Sequence, residues 1–270
     1  MATQLVPLPE VERLSPNVIR ILGGNPGKGQ ILTLLGKEIS ILKETLQKEK
    51  ATISSCIITH WHHDHVGGIK QLLEHSPETS IYKNTPDNGQ LDITDGQKFK
   101  TDGATLRAIH SPGHTKDHMA LILEEEDAMF TGDNVLGHGT AVFEDLATYL
   151  SSLDKMKGLF RGKAYPGHGA VIENGPVKIE EYIKHRKERE LQVVQVLKSA
   201  KAKPGVAVSN DEKADDWTSM EIVKVIYADV PESLHIPANG GIIQILHKLE
   251  SEGKIVQKGD RWRIKARAAL

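Results

Sequence analysis

The chain has 270 residues, of which 39% are hydrophobic, and a formal net charge of -2. That length suits one large layered domain with a small appendage, and the near-neutral balance gives no reason to expect a long polyanion as partner, local basic patches aside. The single cysteine, Cys56, excludes an intramolecular disulfide and a thiolate zinc site, which fits a reducing compartment. MATQLVPLPEVERL has neither a secretory nor a transit-peptide pattern, and no apolar run approaches the ~20 residues of a membrane span, so a cytoplasmic protein without a membrane partner is the expectation.

In chain order, residues 18–22 (VIRIL) read as a short strand, followed by the loop GGNPGKG and a second strand-like run at 31–35 (ILTLL). Residues 36–50 carry Ile39, Leu42 and Leu46 among lysines and glutamates, the pattern of an amphipathic helix. SCIIT (55–59) is a β-rich run ending at a histidine cluster, and VGGIKQLLEH (66–75) reads as helix. TLRAIH (105–110), MALIL (119–123) and DAMFT (127–131) read as strands, and a long charged helix covers about 176–203. After a polar linker, helical patterns run from Trp217 to Tyr227 and from Gly241 to Glu252. GKIVQKGDRWRIKAR (253–267) reads as a hairpin turning at Lys258–Gly259–Asp260. Strands alternating with helices indicate an α/β layered fold, and helix, helix and hairpin a winged-helix appendage. The expected boundaries are a hydrolase domain over 1–203, a linker over 204–216 and a winged-helix-like domain over 217–270.

The chemistry concentrates in His60-Trp61-His62-His63-Asp64-His65. Two histidines two apart in a loop can face one ion, and Asp64 with His65 can turn toward a neighbouring one. Imidazole nitrogen and carboxylate oxygen suit Zn²⁺, and also Mn²⁺ or Fe²⁺. The bland alternative is a histidine-rich surface loop. Against it stand three further elements, each with a ligand type at a glycine turn after a strand-like run: Pro112-Gly113-His114-Thr115, Thr131-Gly132-Asp133-Asn134 and Pro166-Gly167-His168-Gly169.

HxHxDH followed by GH, GD and GH resembles the metallo-β-lactamase superfamily over about residues 50–185. The resemblance implies an αββα sandwich with two divalent metal ions, Zn²⁺ first and Mn²⁺ second. His60, His62 and His114 would hold one ion, Asp64, His65 and His168 the other, and Asp133 would bridge them. Asp64 would also orient the attacking water and shuttle its proton. The wider text, including LPEVERLS, RILGGNPGK, GDNVLGHGTAVFEDL and AYPGHG, resembles fungal lactamase-like proteins that accompany non-reducing polyketide synthases and act as thioesterases on an acyl carrier protein (ACP). The same subfamily includes animal lactamase-like endoribonucleases. A polyketide thioesterase with an ACP partner is therefore the first expectation, single-stranded RNA cleavage the second, and a degenerate interaction protein the third; the same reading admits a homodimer. The chain departs from the relatives after Lys28, where GQILTLLGKEIS replaces about two core strands and an acidic turn. That departure implies shortened early strands, an exposed sheet edge or an underfilled core.

His63 is expected to face solvent, and Trp61 to pack at the base of its loop. His118 is a contact behind the ligands, a substrate contact or, on equal footing, a structural residue, and His138 a stabiliser of negative charge on a substrate carbonyl or phosphate or a loop hydrogen-bonder. Cys56 is read as inert core. His110, His185, His235 and His247 have no motif context. Lys254, Lys258, Arg261, Arg263, Lys265 and Arg267 make the C-terminus basic, either as a soluble hairpin or as a surface for RNA or an acidic carrier protein.

Overall fold

A computed structural model describes residues 7–23, 37–199 and 216–265. The ILTLL run and most of the expected linker lie outside the described residues. The centre of the molecule is a five-stranded sheet in the order β5-β6-β7-β8-β9: β5 (Lys98–Thr101), β6 (Ala104–His110), β7 (Met119–Leu123), β8 (Ala128–Gly132) and β9 (Ala164–Pro166). Every residue of β7 is buried, because both faces of the sheet are covered. Ala120 and Ile122 join the larger apolar cluster on one face, while Met119, Leu121 and Leu123 join the smaller clusters on the other. This is the period-2 alternation of a strand inside a sandwich.

The larger cluster is covered by α4 (Leu146–Lys157) and α5 (Gly175–Lys198). Asp145 caps α4 by accepting from the Thr148 N–H, and Asn174 caps α5 by accepting from the Val177 N–H. Ile179, Tyr182 and Ile183, then Val193, Val196 and Leu197, form the buried stripe of α5. Neither α4 nor the strands β5 and β9 announced themselves as clear periodic runs in the sequence.

The opposite leaf is in two pieces among the described residues. β1 (Val11–Arg13) pairs antiparallel with β2 (Ile19–Ile21). β3 (Ser55–Ile58) pairs parallel with β4 (Ser80–Lys83). Helix α1 (Lys37–Glu49) precedes β3. The expected helix at 66–75 is two: α2 (His63–Val66) and α3 (Ile69–His75), separated at Gly67-Gly68. Residues 29–36, in the segment after Lys28 where the sequence departs from its relatives, lie outside the described residues. Two spaces adjoin the end of β2 at Ile21–Gly23: a cleft of about 620 Å³ lined by Val18, Phe130, Tyr165 and His168, and a pocket of about 250 Å³ lined by Leu42, Cys56, Ile58 and Leu72.

At the C-terminal end, β10 (Trp217–Thr218), β12 (Arg261–Ile264) and β11 (Ile255–Lys258) form a small sheet behind α6 (Ser219–Ile226) and α7 (His235–Ser251). Thr218 and Glu221 form a reciprocal capping box on α6. The β11–β12 hairpin turns at Gly259-Asp260, as the sequence suggests. No helix of the described residues is long and apolar enough to cross a membrane.

Candidate metal centre

The histidine loop begins where β3 ends. β3 delivers Thr59 and His60, and the single turn of α2 then presents Asp64 and His65 in succession. His114 arrives on the loop between β6 and β7, Asp133 at the end of β8, and His168 just after β9. Adjacent strands of the five-stranded sheet thus bring His114, Asp133 and His168 to one edge, where they meet the loop that β3 of the other leaf delivers.

Their donor atoms converge in two groups: His60, His62, His114 and Asp133, and Asp64, His65 and His168, each with its donors within 4.8 Å of one another. In the first, His60 Nε2 lies 3.0 Å from His62 Nδ1 and 3.3 Å from His114 Nε2, and His114 Nε2 lies 3.1 Å from His62 Nδ1. In the second, His168 Nε2 is 3.2 Å from Asp64 Oδ2, and His65 Nε2 is 3.8 Å from the same oxygen. Asp133 reaches both: its Oδ2 is 3.3 Å from His168 Nε2, 3.8 Å from His114 Nε2 and 4.0 Å from His60 Nε2, while Oδ1 is 3.4 Å from His65 Nε2.

The arrangement fits cations. Nitrogens sharing one tetrahedral zinc stand about 3.3 Å apart, given a Zn–N length of ~2.0–2.1 Å. His65 Nε2 and Asp133 Oδ1 are buried and without a hydrogen-bond partner, and a native fold seldom leaves such atoms unsatisfied. Three imidazoles packed edge to face, at centroid separations of 4.6–4.8 Å, would repel one another if protonated. Burial accordingly pushes His60 and His62 down, the nearby imidazoles of His65 and His114 respectively adding to the effect, so both stay neutral as ligands must. Burial alone would raise the Asp133 carboxyl, but the imidazoles of His168 and His65 outweigh it and hold it far below the usual range.

Outer contacts fix the ring orientations. His114 Nδ1 donates to the Val142 carbonyl at 2.8 Å, leaving Nε2 free to face the cluster. Thr59 Oγ1 lies 3.0 Å from His60 Nδ1. His118 is fully buried, and its Nε2 accepts from the Asp133 backbone N–H at 3.1 Å, so its Nδ1 carries the proton and donates to Ser111 Oγ at 2.9 Å. Burial pushes His118 down to about 3, keeping it a neutral acceptor that positions the Asp133 backbone rather than a substrate contact. Gly132 and Gly167 are close-approach positions. A Cβ at the first would meet His118 Nε2 at 2.5 Å, and at the second Asp133 Oδ1 at 2.4 Å.

His63 is exposed, as expected. Trp61 departs from expectation: it does not pack at the loop base but is 53% exposed, because its neighbours His60 and His62 turn inward and leave the indole outside. His138 is exposed, lies against Gly169 and lines the large cleft beside His168. Thr59, Ser111 and the Val142 carbonyl escaped the sequence reading. Thr59 and Ser111 have adjacency to a ligand motif as their one signal, and a backbone carbonyl has none.

Residues 33–89 and 78–168 match the family model of the metallo-beta-lactamase superfamily, and residues 218–262 that of the beta-lactamase associated winged helix domain. The lactamase-like protein adaB of Aspergillus niger is 41% identical over 280 residues, spanning 94% of this chain and 88% of the relative. An atrochrysone carboxyl ACP thioesterase of Aspergillus chevalieri is 40% identical over 275 residues, spanning 94% and 87%. A beta-lactamase domain protein from Burkholderia ambifaria shares the fold, with a TM-score of 0.68 over 85% of this chain and 80% of its own at 17% identity. A donor cluster at one sheet edge, the family's hydrolase fold and its winged helix therefore coincide in one chain, which belongs to the metallo-β-lactamase superfamily and within it resembles the lactamase-like proteins of fungi.

Proposed function

We propose that this protein hydrolyses the thioester joining a polyketide acyl chain to an acyl carrier protein. The carrying observation is the pair of donor groups joined through Asp133, supported by a relative named as an ACP thioesterase at 40% identity over nearly the whole chain. His60, His62 and His114 would hold one divalent ion and Asp64, His65 and His168 the second, with Asp133 between them. Zn²⁺ suits the nitrogen-rich first group best, with Mn²⁺ next. When bound, such ions supply Lewis acidity toward the acyl carbonyl and make water nucleophilic near neutral pH.

The remaining work falls to the chain. Asp64, whose side chain is 32% exposed, is the open-side carboxylate; it orients the water and takes its proton. Asp133 is fixed from behind, its backbone N–H donating to His118, so its carboxylate holds position. His138, beside His168, is placed to steady negative charge on the acyl oxygen. The carrier thiol leaves with a proton. The sequence holds no GxSxG nucleophile motif, and the Cys56 thiol is pushed up to about 11 by burial, so no side-chain nucleophile competes. The RNA alternative leans on the basic hairpin, yet Lys254 pairs with Glu252 and Glu190, and Arg261 pairs with Glu221.

Elemental analysis of the purified protein should find close to two divalent ions per chain. Incubation with acyl-loaded carrier protein should release free acid, read by mass spectrometry. Changing His60 and His62 together to Ala should empty the first position and abolish release. Acid release equal to that of a metal-stripped control would remove this function.

A further inference from the structure

Two large apolar side chains stand exposed at the mouth of the metal centre. Trp61 is 53% exposed and Val142 is 72% exposed. Each is tied to a different imidazole of the first donor group. The Trp61 ring meets His62 edge-on at 4.7 Å, and the Val142 carbonyl accepts the His114 Nδ1 proton at 2.8 Å. His62 and His114 are themselves 4.7 Å apart, centroid to centroid. The two exposed residues are thus joined through the imidazole pair, Trp61 by its ring at His62 and Val142 by its backbone carbonyl at His114.

The exposure of Val142 does not come from a loose loop. Arg186 reaches from α5 to donate to the Ala141 carbonyl at 2.6 Å and lies 4.8 Å over the Phe143 ring. Phe143 stacks on the buried Tyr149 at 5.3 Å with an interplanar angle of 19°. Tyr182 donates to the Gly139 carbonyl at 3.1 Å. Ala141 and Phe143, on the two sides of Val142, are thus anchored to helices, which fixes the backbone from which the Val142 side chain projects. Trp61 is fixed likewise, between two histidines committed to the cluster. Other exposed apolar side chains, such as Val177, Leu191, Val225 and Ile236, sit singly on helices, where an isolated apolar residue needs no explanation. Leaving an indole in water beside a reactive centre costs hydrophobic free energy that a ligand recovers.

We infer that Trp61 and Val142 form a clamp that takes the planar, conjugated acyl chain of the thioester, the indole stacking on it and the valine closing the opposite edge. An indole face favours offset stacking with a flat π-system over contact with a flexible alkyl chain. The clamp sets the acyl group beside the donor cluster, so it selects among substrates by acyl shape. The inference rests on the thioesterase reading for its reaction and on geometry for its ligand class.

The test compares two thioesters of one thiol, 2-naphthoyl and acetyl N-acetylcysteamine, on the metal-loaded full chain. Trp61→Ala should lower the ratio of kcat/KM for the naphthoyl thioester to that for the acetyl thioester about tenfold, the change lying in the naphthoyl KM. Trp61→Phe should restore most of the loss, and Val142→Ser should show a smaller selective rise. Equal losses on both thioesters, or none on either, overturn the clamp. If wild-type protein hydrolyses neither thioester, the thioesterase reading fails and the clamp is judged by binding alone. Trp217 and Trp262 are buried, so Trp61 carries the exposed indole emission. Titration with 2-naphthoic acid should quench that emission saturably in the wild type, and no saturable quenching should remain in Trp61→Phe. The absence of saturable quenching in the wild type sinks the clamp whatever the catalytic result.

Discussion

Asp64 is the exposed residue among the seven donors, its side chain 32% open against 28% for His168. Asp64→Asn keeps the shape and an oxygen but removes charge and proton acceptance. The ion held by His60, His62 and His114 should remain, and the second should bind more weakly, because an amide is a poorer ligand than a carboxylate for a hard dication. Turnover should fall by about 10²–10⁴-fold, the range for losing a positioned acid/base group; metal counting and rate measurement on the same sample check this. A variant with near-normal rate and one ion would make Asp64 merely structural. Cys56 makes a different case. Its thiol is raised from 9.0 to about 11 by burial, so at pH 8 the native thiolate is scarce. Labelling with a thiolate-selective reagent should be about a hundredfold slower in native than in denatured protein. The sign follows: stability is unaffected below pH 9 and falls as pH rises above it, because the unfolded chain ionises first. Native labelling as fast as denatured would show the thiol to be free.

The elements are joined at one costly point. Lys83, at the end of β4, and Asp117, on the loop between His114 and β7, are both buried. Lys83 Nζ is 3.3 Å from Asp117 Oδ2 and donates to the Thr85 carbonyl at 2.7 Å, while Thr115 Oγ1 donates to Asp117 Oδ1 at 2.7 Å. The pair fastens the His114 loop to the split leaf. Lys83→Met removes the cation and strands a buried carboxylate, so it should cost about 3–5 kcal/mol in denaturant unfolding. Replacing both partners, Lys83→Met with Asp117→Leu, should recover much of that loss. A single-variant cost under 1 kcal/mol would mean that water reaches the site. This attachment matters because β1–β2 and β3–β4 are not hydrogen-bonded into one sheet among the described residues.

Over the whole molecule, one apolar cluster runs from the central sheet through α4 and α5 into the winged helix. Val193, Val196 and Leu197 of α5 join Trp217, Ile222, Leu246 and Trp262 in it. Lys248 of α7 reaches Glu190 of α5 at 2.7 Å, and both side chains are mostly buried. The appendage is therefore part of the hydrolase core. Truncation after Ser199 should leave the apolar end of α5 uncovered, lower the thermal midpoint and promote aggregation. The full chain should unfold in a single transition by circular dichroism. A truncated chain as stable as the full one would show the appendage to be a separate domain.

The seven candidate ligands are legible in local text: four share the HxHxDH run that follows a strand, and His114, Asp133 and His168 each follow a glycine that marks a turn, a pattern that survives without any tertiary knowledge. MALIL is legible as a short unbroken apolar run, and α5 (Gly175–Lys198) as a long charged helical pattern. What tertiary structure alone decided lies elsewhere. Short strands such as Lys98–Thr101 and Ala164–Pro166 owe their conformation to neighbours that pair with them, not to their own propensity. The exposure of Trp61 follows from two flanking histidines turning inward, which composition cannot foretell. The sequence leaves His118 open between a substrate contact and a supporting residue, and the Asp133 backbone N–H on its ring nitrogen decides for support. The Val142 carbonyl, which orients His114, belongs to the backbone and leaves no mark in residue identity. Ligand identity is thus a property of the chain's local text, whereas orientation, burial and access arise only when segments distant in sequence meet at one sheet edge.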